Sequence, residues 1–211
     1  MIPQVLVIAK EPVPGRVKTR LSPPCTPVQA AELAAAALAD TMNTVRSIEV
    51  SRRVLVFDGR PPDDGNGFEV IEQRGDGLAE RLANAFDLAG TPALLIGMDC
   101  PQMSRSALAA ALATLELQRF DAVLGPTVDG GYWAIGLKRA DRAVFAGIPM
   151  SSPYTFAAQF ARMHALGLRV GMLPVLQDVD HFSDATSVAS MIPTSNFGRA
   201  VARLQSELVT A

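Results

Sequence analysis

Short uninterrupted apolar runs alternate along the chain with longer stretches in which apolar residues recur every three or four positions, the pattern of buried strands joined by packed helices. The runs predict strands at 4–9, 53–58, 69–73, 93–98, 122–127, 132–137 and 170–176, and the helical periodicity predicts helices near 27–47, 78–89, 104–118, 153–166 and 196–208. Val5-Leu6-Val7-Ile8 and Ala93-Leu94-Leu95-Ile96 show no polar alternation, so both of their faces must be covered. Strand and helix alternate through the first two-thirds. That order argues a single α/β domain over 1–211, a mostly parallel mixed sheet with helices on both faces and an antiparallel addition where 132–137 follows 122–127 after a short loop. Thr26-Pro27-Val28-Gln29 is a capping box with proline at the first helical position, Ser104 is a competent N-cap, and Ser152-Pro153 starts a further helix. The Pro-, Asp- and Gly-rich stretch 60–67 reads as a surface loop.

Composition narrows the function classes. The 211 residues carry a net charge of −2 with basic residues mostly dispersed, which excludes duplex nucleic acid as the main partner. Cys25 and Cys100 have no CxxC partner, and His164 and His181 do not complete a zinc site with them, so reducing cytoplasm is the natural setting. Cys100 stands beside Asp99, yet neither histidine comes with a motif that pairs it to the thiol, and a buried small apolar residue is the better reading. The first apolar run is short and lacks a basic leader, so no cleavable signal peptide is expected. No run approaches the roughly 20 apolar residues needed to cross a bilayer, and the alanine-rich stretch 30–39, bounded and interrupted by Glu32 and Asp40, is a packed helix. Nothing after Ala9 supplies a phosphate-binding GxxxxGK[ST] loop. Gly75-Asp76-Gly77 begins like a dinucleotide fingerprint but has Glu80 where the last glycine belongs; Arg81 and Asn84 on the following helix could instead contact a base or ribose.

Chemistry-bearing residues collect where apolar strands run out. Val5 to Ala9 opens into a loop with Lys10, Arg16, Lys18 and Arg20, stiffened by Pro12 and Pro14 and bent at Gly15, a phosphate clamp in composition. Asp99 ends the 93–98 run, where the ligand crevice of a parallel sheet lies. Asp178-Val179-Asp180 places two carboxylates on one face of extended chain, and hard oxygens of this kind suit Mg2+ or Mn2+; a solvated acidic loop is the alternative. Asp129-Gly130-Gly131-Tyr132-Trp133 offers a carboxylate, two glycines that permit close approach, and two aromatic walls, a candidate acceptor site. A tight hairpin with an exposed Asp129 is the plainer reading of the same residues.

Taken together, AKEPVPGRVKTRL, GDGLAERLANAF, LLIGMDCP, VLGPTVDGGYWAIGL and DVDHFSDA give the chain, from about Ile2 to Ala185, a resemblance to the bacterial radical-SAM/selenodomain-associated transferases, which have the GT-A nucleotide-diphospho-sugar transferase fold. It is more distantly similar to the 2-phospholactate guanylyltransferases. The resemblance implies that Asp99 holds a divalent cation, Mg2+ or Mn2+, bridging nucleotide phosphates, with a second ligand from the late acidic motif, Asp180 or else Asp178. His181 departs from the threonine usual there. It also implies that the first loop wraps the phosphates through Lys10, Arg16, Lys18 and Arg20. The residues themselves suggest Gly15, Gly77 and Arg81 as further nucleotide contacts and Arg16, Lys18 and Asp129 as participants in catalysis.

Two reactions use these parts. Glycosyl transfer from a nucleotide sugar to a small-molecule acceptor is favoured by the resemblance, and nucleotidyl transfer from a nucleoside triphosphate by the density of loop cations. A catalytically silent nucleotide-binding domain is a third reading, against which the retention of both acidic sites and all four cations argues.

Overall fold

In the computed structural model, which describes residues 2–62 and 67–210, the apolar runs become β1 (Gln4–Lys10), β2 (Arg53–Asp58), β3 (Glu69–Glu72), β4 (Ala93–Gly97), β5 (Ala122–Pro126), β6 (Tyr132–Leu137) and β7 (Val170–Met172). They form one sheet in the order β3-β2-β1-β4-β6-β5-β7. Pairing is parallel throughout except at β6, which runs antiparallel to both β4 and β5. The helices are α1 (Pro27–Arg46), α2 (Leu78–Ala89), α3 (Arg105–Glu116), α4 (Thr155–Ala165), α5 (Phe182–Met191) and α6 (Asn196–Thr210). No helix among the described residues is long and apolar enough to cross a membrane.

Alternate residues of β1 show why the strands are apolar on both faces. Val5, Val7 and Ala9 join the core under α1 and α3, while Leu6 joins the core under α2 and α4. The alanine-rich α1 is apolar nearly all round because it is buried on two sides. Ala31, Ala34 and Leu38 meet the sheet, whereas Ala30, Leu33 and Ala37 meet α5 and α6. Asp40, only 8 % exposed, ties these layers together. Its carboxylate accepts hydrogen bonds from the Asn196 amide at 3.1 Å, the Asn196 side chain at 2.8 Å and the Phe197 amide at 2.8 Å, capping the first turn of α6.

Three differences from expectation have a local cause. β7 stops at Met172, because Pro174 cannot donate to the ladder; a lone bridge between Thr127 and Leu176 continues the pairing. α4 starts at Thr155, since Ser152 and Pro153 are spent on a turn in which Ser152 Oγ accepts the Tyr154 amide. α5 falls where the sequence pattern predicts only an acidic loop; its apolar positions Phe182, Ala185 and Val188 recur at helical spacing, and the Asp184 carboxylate reaches back to the His181 amide at 2.7 Å. The capping box of α1 and the Ser104 cap of α3 form as expected. Part of the surface-loop expectation at 60–67 falls outside the described residues.

β1 leads outward through β2 to β3 on one side, while β4 and its successors lie on the other. The switch point between β1 and β4 opens a crevice beyond their carboxyl ends, where open α/β sheets bind ligands.

Candidate active site

The crevice has a volume of about 570 Å³. Lys10, Lys18 and Arg20 line it from the loop after β1, Gln73, Gly77 and Arg81 from the β3–α2 connection, Asp99 from beyond β4, and Asp180 from before α5. Buried Val17 and Leu21 anchor the loop and set the direction of the cations between them. Lys18 has φ 48° and ψ 37°, a left-handed conformation rare for a residue with a side chain. Its ammonium lies 2.5 Å from Asp99 Oδ1 and donates to the Val179 carbonyl. Arg20 pairs with Asp180 at 2.5 Å, so two ion pairs tie the basic loop to the acidic segments. Val179 is buried and its amide donates to the Asp99 carbonyl at 2.9 Å, which turns both Asp178 and Asp180 outward, as alternation requires.

Arg16 and Gly15 stand elsewhere. Arg16 is exposed and lines a separate cavity of about 120 Å³ with Lys10, Glu11 and Asp58, and its backbone carbonyl, not its guanidinium, accepts from Lys10 at 3.1 Å. Gly15 supplies a positive φ of 76° in open space, a bend rather than a ligand contact. Of the four cations and Gly15 expected together, the crevice is lined by Lys10, Lys18 and Arg20, and Arg16 and Gly15 are not among its lining residues.

Arg81 is positioned from two sides. It pairs with Asp58 Oδ2 at 2.8 Å and with Gln73 Oε1 at 3.2 Å, while the Gln73 amide is fixed on the Ala9 and Val56 carbonyls at 2.7 and 3.1 Å. Gly77 begins α2 with no side-chain cap, so the positive end of that helix faces the crevice. Asp58 and Gln73 escape the sequence reading, although Asp58 ends an apolar run just as Asp99 does.

A smaller cavity of about 170 Å³ adjoins the crevice and shares Asp99, Tyr132, Trp133 and Ser151 with it. Asp129 and Asp178 face it, with Gly131, Met150, Ser152 and Thr155. Burial first, and then the Asp129 charge, push the Asp178 carboxyl up to about 6. Asp129 is exposed and serves its own turn as well, accepting from Thr127 Oγ1 at 2.6 Å and from the Gly131 amide at 2.8 Å. The hairpin and the acidic site are therefore the same residues. Gly130 does not line the cavity: its φ of 91° and the closeness of the Pro153 carbonyl leave no room for a side chain, so its glycine serves the packing of two loops. Trp133 is 4 % exposed and its indole donates to the Pro174 carbonyl at 2.9 Å. It is a fixed wall rather than a free stacking platform. Tyr132 donates to Gln159 Oε1 at 3.3 Å, and burial raises its hydroxyl above the ordinary range. Burial, reinforced by Asp99 and Asp178, raises the Cys100 thiol well above its usual value, which removes it as a nucleophile. Ser151, with φ 56°, lines both cavities.

Among the described residues no three His, Cys, Asp or Glu side chains surround one point as a metal cage. The donor chemistry nevertheless fits a hard divalent ion. Asp99 and Asp129 both raise Asp178 across a single cavity, and Mg2+ is ordinarily held by one or two carboxylates together with substrate phosphates rather than by a closed protein cage. Asp99 and Asp178, which face the same cavity, are the pair that would hold it, and Lys18 engages Asp99 there as Arg20 engages Asp180.

The family model described as "Uncharacterized protein conserved in bacteria (DUF2064)" matches residues 30–152. No curated protein sequence matches the chain. Among solved structures, a provisionally named nucleotide-diphospho-sugar transferase from Desulfovibrio desulfuricans G20 is 27 % identical with a TM-score of 0.83, over 98 % of this chain and 95 % of that one. The fold recurs in Rv0371c of Mycobacterium tuberculosis H37Rv in complex with manganese (19 % identity, TM-score 0.52, over 88 % and 96 % of the two chains). It recurs also in a CMP:2-keto-3-deoxy-manno-octonic acid synthetase complexed with CTP (11 % identity, TM-score 0.57, over 89 % and 97 %).

Proposed function

We propose, from the premise that the chain belongs to the DUF2064 family, that it is a nucleotide-dependent transferase whose reaction is glycosyl transfer from a nucleotide sugar to a small hydroxyl-bearing acceptor. The observation that carries this reading is the meeting, at the switch point of the sheet, of a basic crevice with an adjoining acidic cavity that shares Asp99 with it. The diphosphate of a donor lies against Lys18, Arg20 and the uncapped start of α2, with Lys10 at the edge. Arg81, held by Asp58 and Gln73, contacts the nucleoside. The acceptor occupies the smaller cavity, walled by Tyr132 and Trp133.

In the transfer step the acceptor O–H bond breaks, its proton passes to Asp129, and its oxygen bonds to the anomeric carbon as the carbon–oxygen bond to the diphosphate breaks. The leaving diphosphate takes the electron pair, and Lys18 and Arg20 stabilise the charge it gains. Mg2+ or Mn2+, held by Asp99 and Asp178, would supply further stabilisation of phosphate charge. The two free thiols, Cys25 and Cys100, are both buried and suit a reducing compartment such as the cytoplasm.

Nucleotidyl transfer is the second reading. It is supported by Lys10, Lys18 and Arg20 together in the crevice, a cation set able to meet a triphosphate, and weakened by the outward Arg16. A thermal-shift panel of nucleotides and nucleotide sugars with Mg2+ or Mn2+ tests the common part, because a ligand at about 100 times its dissociation constant adds roughly 2.7 kcal/mol. Product analysis then separates the two: nucleoside diphosphate means glycosyl transfer and pyrophosphate means nucleotidyl transfer. A panel without any stabilising nucleotide would overturn both.

A further inference from the structure

We infer that the Lys18 ammonium is an internal cation seated where a divalent ion would bind, so that Lys18 and the metal exclude one another at Asp99 until an incoming anion draws Lys18 away. Two oxygens converge on the ammonium, one from the Asp99 carboxylate and one from the Val179 carbonyl. Both are hard donors of the kind a divalent ion takes. The backbones that carry them are held together without Lys18, because the Val179 amide is bonded to the Asp99 carbonyl at 2.9 Å and Val179 itself is buried. The cradle is thus built by backbone pairing between the two acidic segments.

Three features show that the lysine is held there rather than resting there. Its side chain is 12 % exposed, against 54 % for Asp99, so the lysine is the more deeply buried partner of the pair. Its backbone is left-handed, a conformation that costs free energy in a residue with a Cβ and persists where surrounding contacts enforce it. The buried anchors Val17 and Leu21 flank it closely in sequence. The ammonium nitrogen lies 2.5 Å from Asp99 Oδ1, whereas Mg2+ binds oxygen at about 2.1 Å. An ion at the same place on Oδ1 would overlap the nitrogen, and like charges at such a separation repel. An ion seated between Asp99 Oδ1 and the Val179 carbonyl therefore requires Lys18 to leave, and the crevice, lined also by Arg20 and Lys10, is where a phosphate would receive it. The identity of that phosphate rests on the transferase reading; the exclusion between lysine and metal does not.

The test is a nucleotide-free Mn2+ titration followed by electron paramagnetic resonance of free Mn2+, on wild type, Lys18→Met, Lys18→Arg, and Lys18→Met combined with Asp99→Asn. Lys18→Met, close in shape and uncharged, should bind Mn2+ at least tenfold more tightly than wild type. Lys18→Arg should stay near wild type, and Asp99→Asn should abolish the gain. Equal affinity in wild type and Lys18→Met, or a gain that survives Asp99→Asn, would overturn the inference. Should Lys18→Met fail to fold, reductive-methylation footprinting of the wild type decides. Lys18 should be protected in the free protein and become reactive at saturating Mg2+ without nucleotide; unchanged protection overturns the inference. A nucleotide thermal-shift panel run beside it keeps the outcomes separate, since a protein that binds no nucleotide yet shows the Mn2+ gain loses the transferase reading and keeps this one.

Discussion

Asp129 can be asked directly whether it is a turn residue or a reacting group, because its two roles respond differently to two substitutions. Its carboxylate accepts from Thr127 Oγ1 at 2.6 Å and from the Gly131 amide at 2.8 Å. An asparagine side chain would keep an oxygen in the same place and preserve the turn, so Asp129→Asn should leave stability within a few tenths of a kcal/mol. Asp129→Ala loses both bonds. At about 0.5–1.5 kcal/mol each, toward the lower end for an exposed group, and with some relief of repulsion against Asp178, the net loss is about 1 kcal/mol, or about 2–4 °C in Tm for a chain of this size.

Turnover separates the roles. A lost proton acceptor lowers kcat by about a hundredfold or more, which is about 2.7 kcal/mol in the barrier, and does so for Ala and Asn alike. A stability loss of about 1 kcal/mol, set against a typical total of 5–15 kcal/mol, leaves nearly all molecules folded and cannot imitate that effect. The assay is single-turnover kinetics with the donor identified by thermal shift, alongside urea denaturation of both variants. Donor affinity should stay within about twofold, since Asp129 lines the smaller cavity proposed for the acceptor and not the crevice proposed for the donor. If Asp129→Asn turns over like wild type, the carboxylate does not handle the proton, and the segment is a hairpin.

Three further outcomes are expected. Asp40→Ala should destabilise the fold by about 2–4 kcal/mol in urea melts, because three donors at the start of α6 lose a buried charged acceptor; a loss below about 1 kcal/mol would mean that the cap is redundant. Arg16→Ala should change nucleotide affinity by less than about twofold while Arg20→Ala weakens it by tenfold or more, as read by calorimetry, since only Arg20 lines the crevice; equal losses would return Arg16 to the phosphate site. For pH, the Asp178 carboxyl titrates near 6 when folded, above its ordinary 3.8. The folded state therefore holds that proton more tightly, and metal-free stability from this group is present at low pH and lost as pH rises through about 6. Asp178→Asn should accordingly be more stable than wild type at pH 7.5, with the Tm difference shrinking as pH falls toward 4; a pH-independent difference would contradict the shift.

Local rules made the strands and most helix starts legible, because both-face burial writes itself as an unbroken run, as in Val5 to Ile8, and a helix start as a capping residue, as in Thr26 and Ser104. The same rules located the acidic and basic segments, since crevices open where such runs end. Direction within a loop was not legible. Arg16, Lys18 and Arg20 carry the same charge on one short loop, and what separates them is the burial of Val17 and Leu21, which turns Lys18 and the exposed Arg20 to the crevice and leaves Arg16 on a smaller neighbouring cavity. Likewise the acidic motif read as a metal loop hid α5, since Asp184 is spent on the His181 amide, a contact that becomes visible only once the chain's direction at Asp180 is known. The apparent surplus of charge in the sequence is mostly paired in the fold, Lys18 with Asp99, Arg20 with Asp180 and Arg81 with Asp58. A site assembled in this way is neutralised before any ligand arrives. On the proposed reading, a phosphate competes with carboxylates for the cations and a metal competes with a lysine for its carboxylate, so each should bind more strongly in the presence of the other than alone.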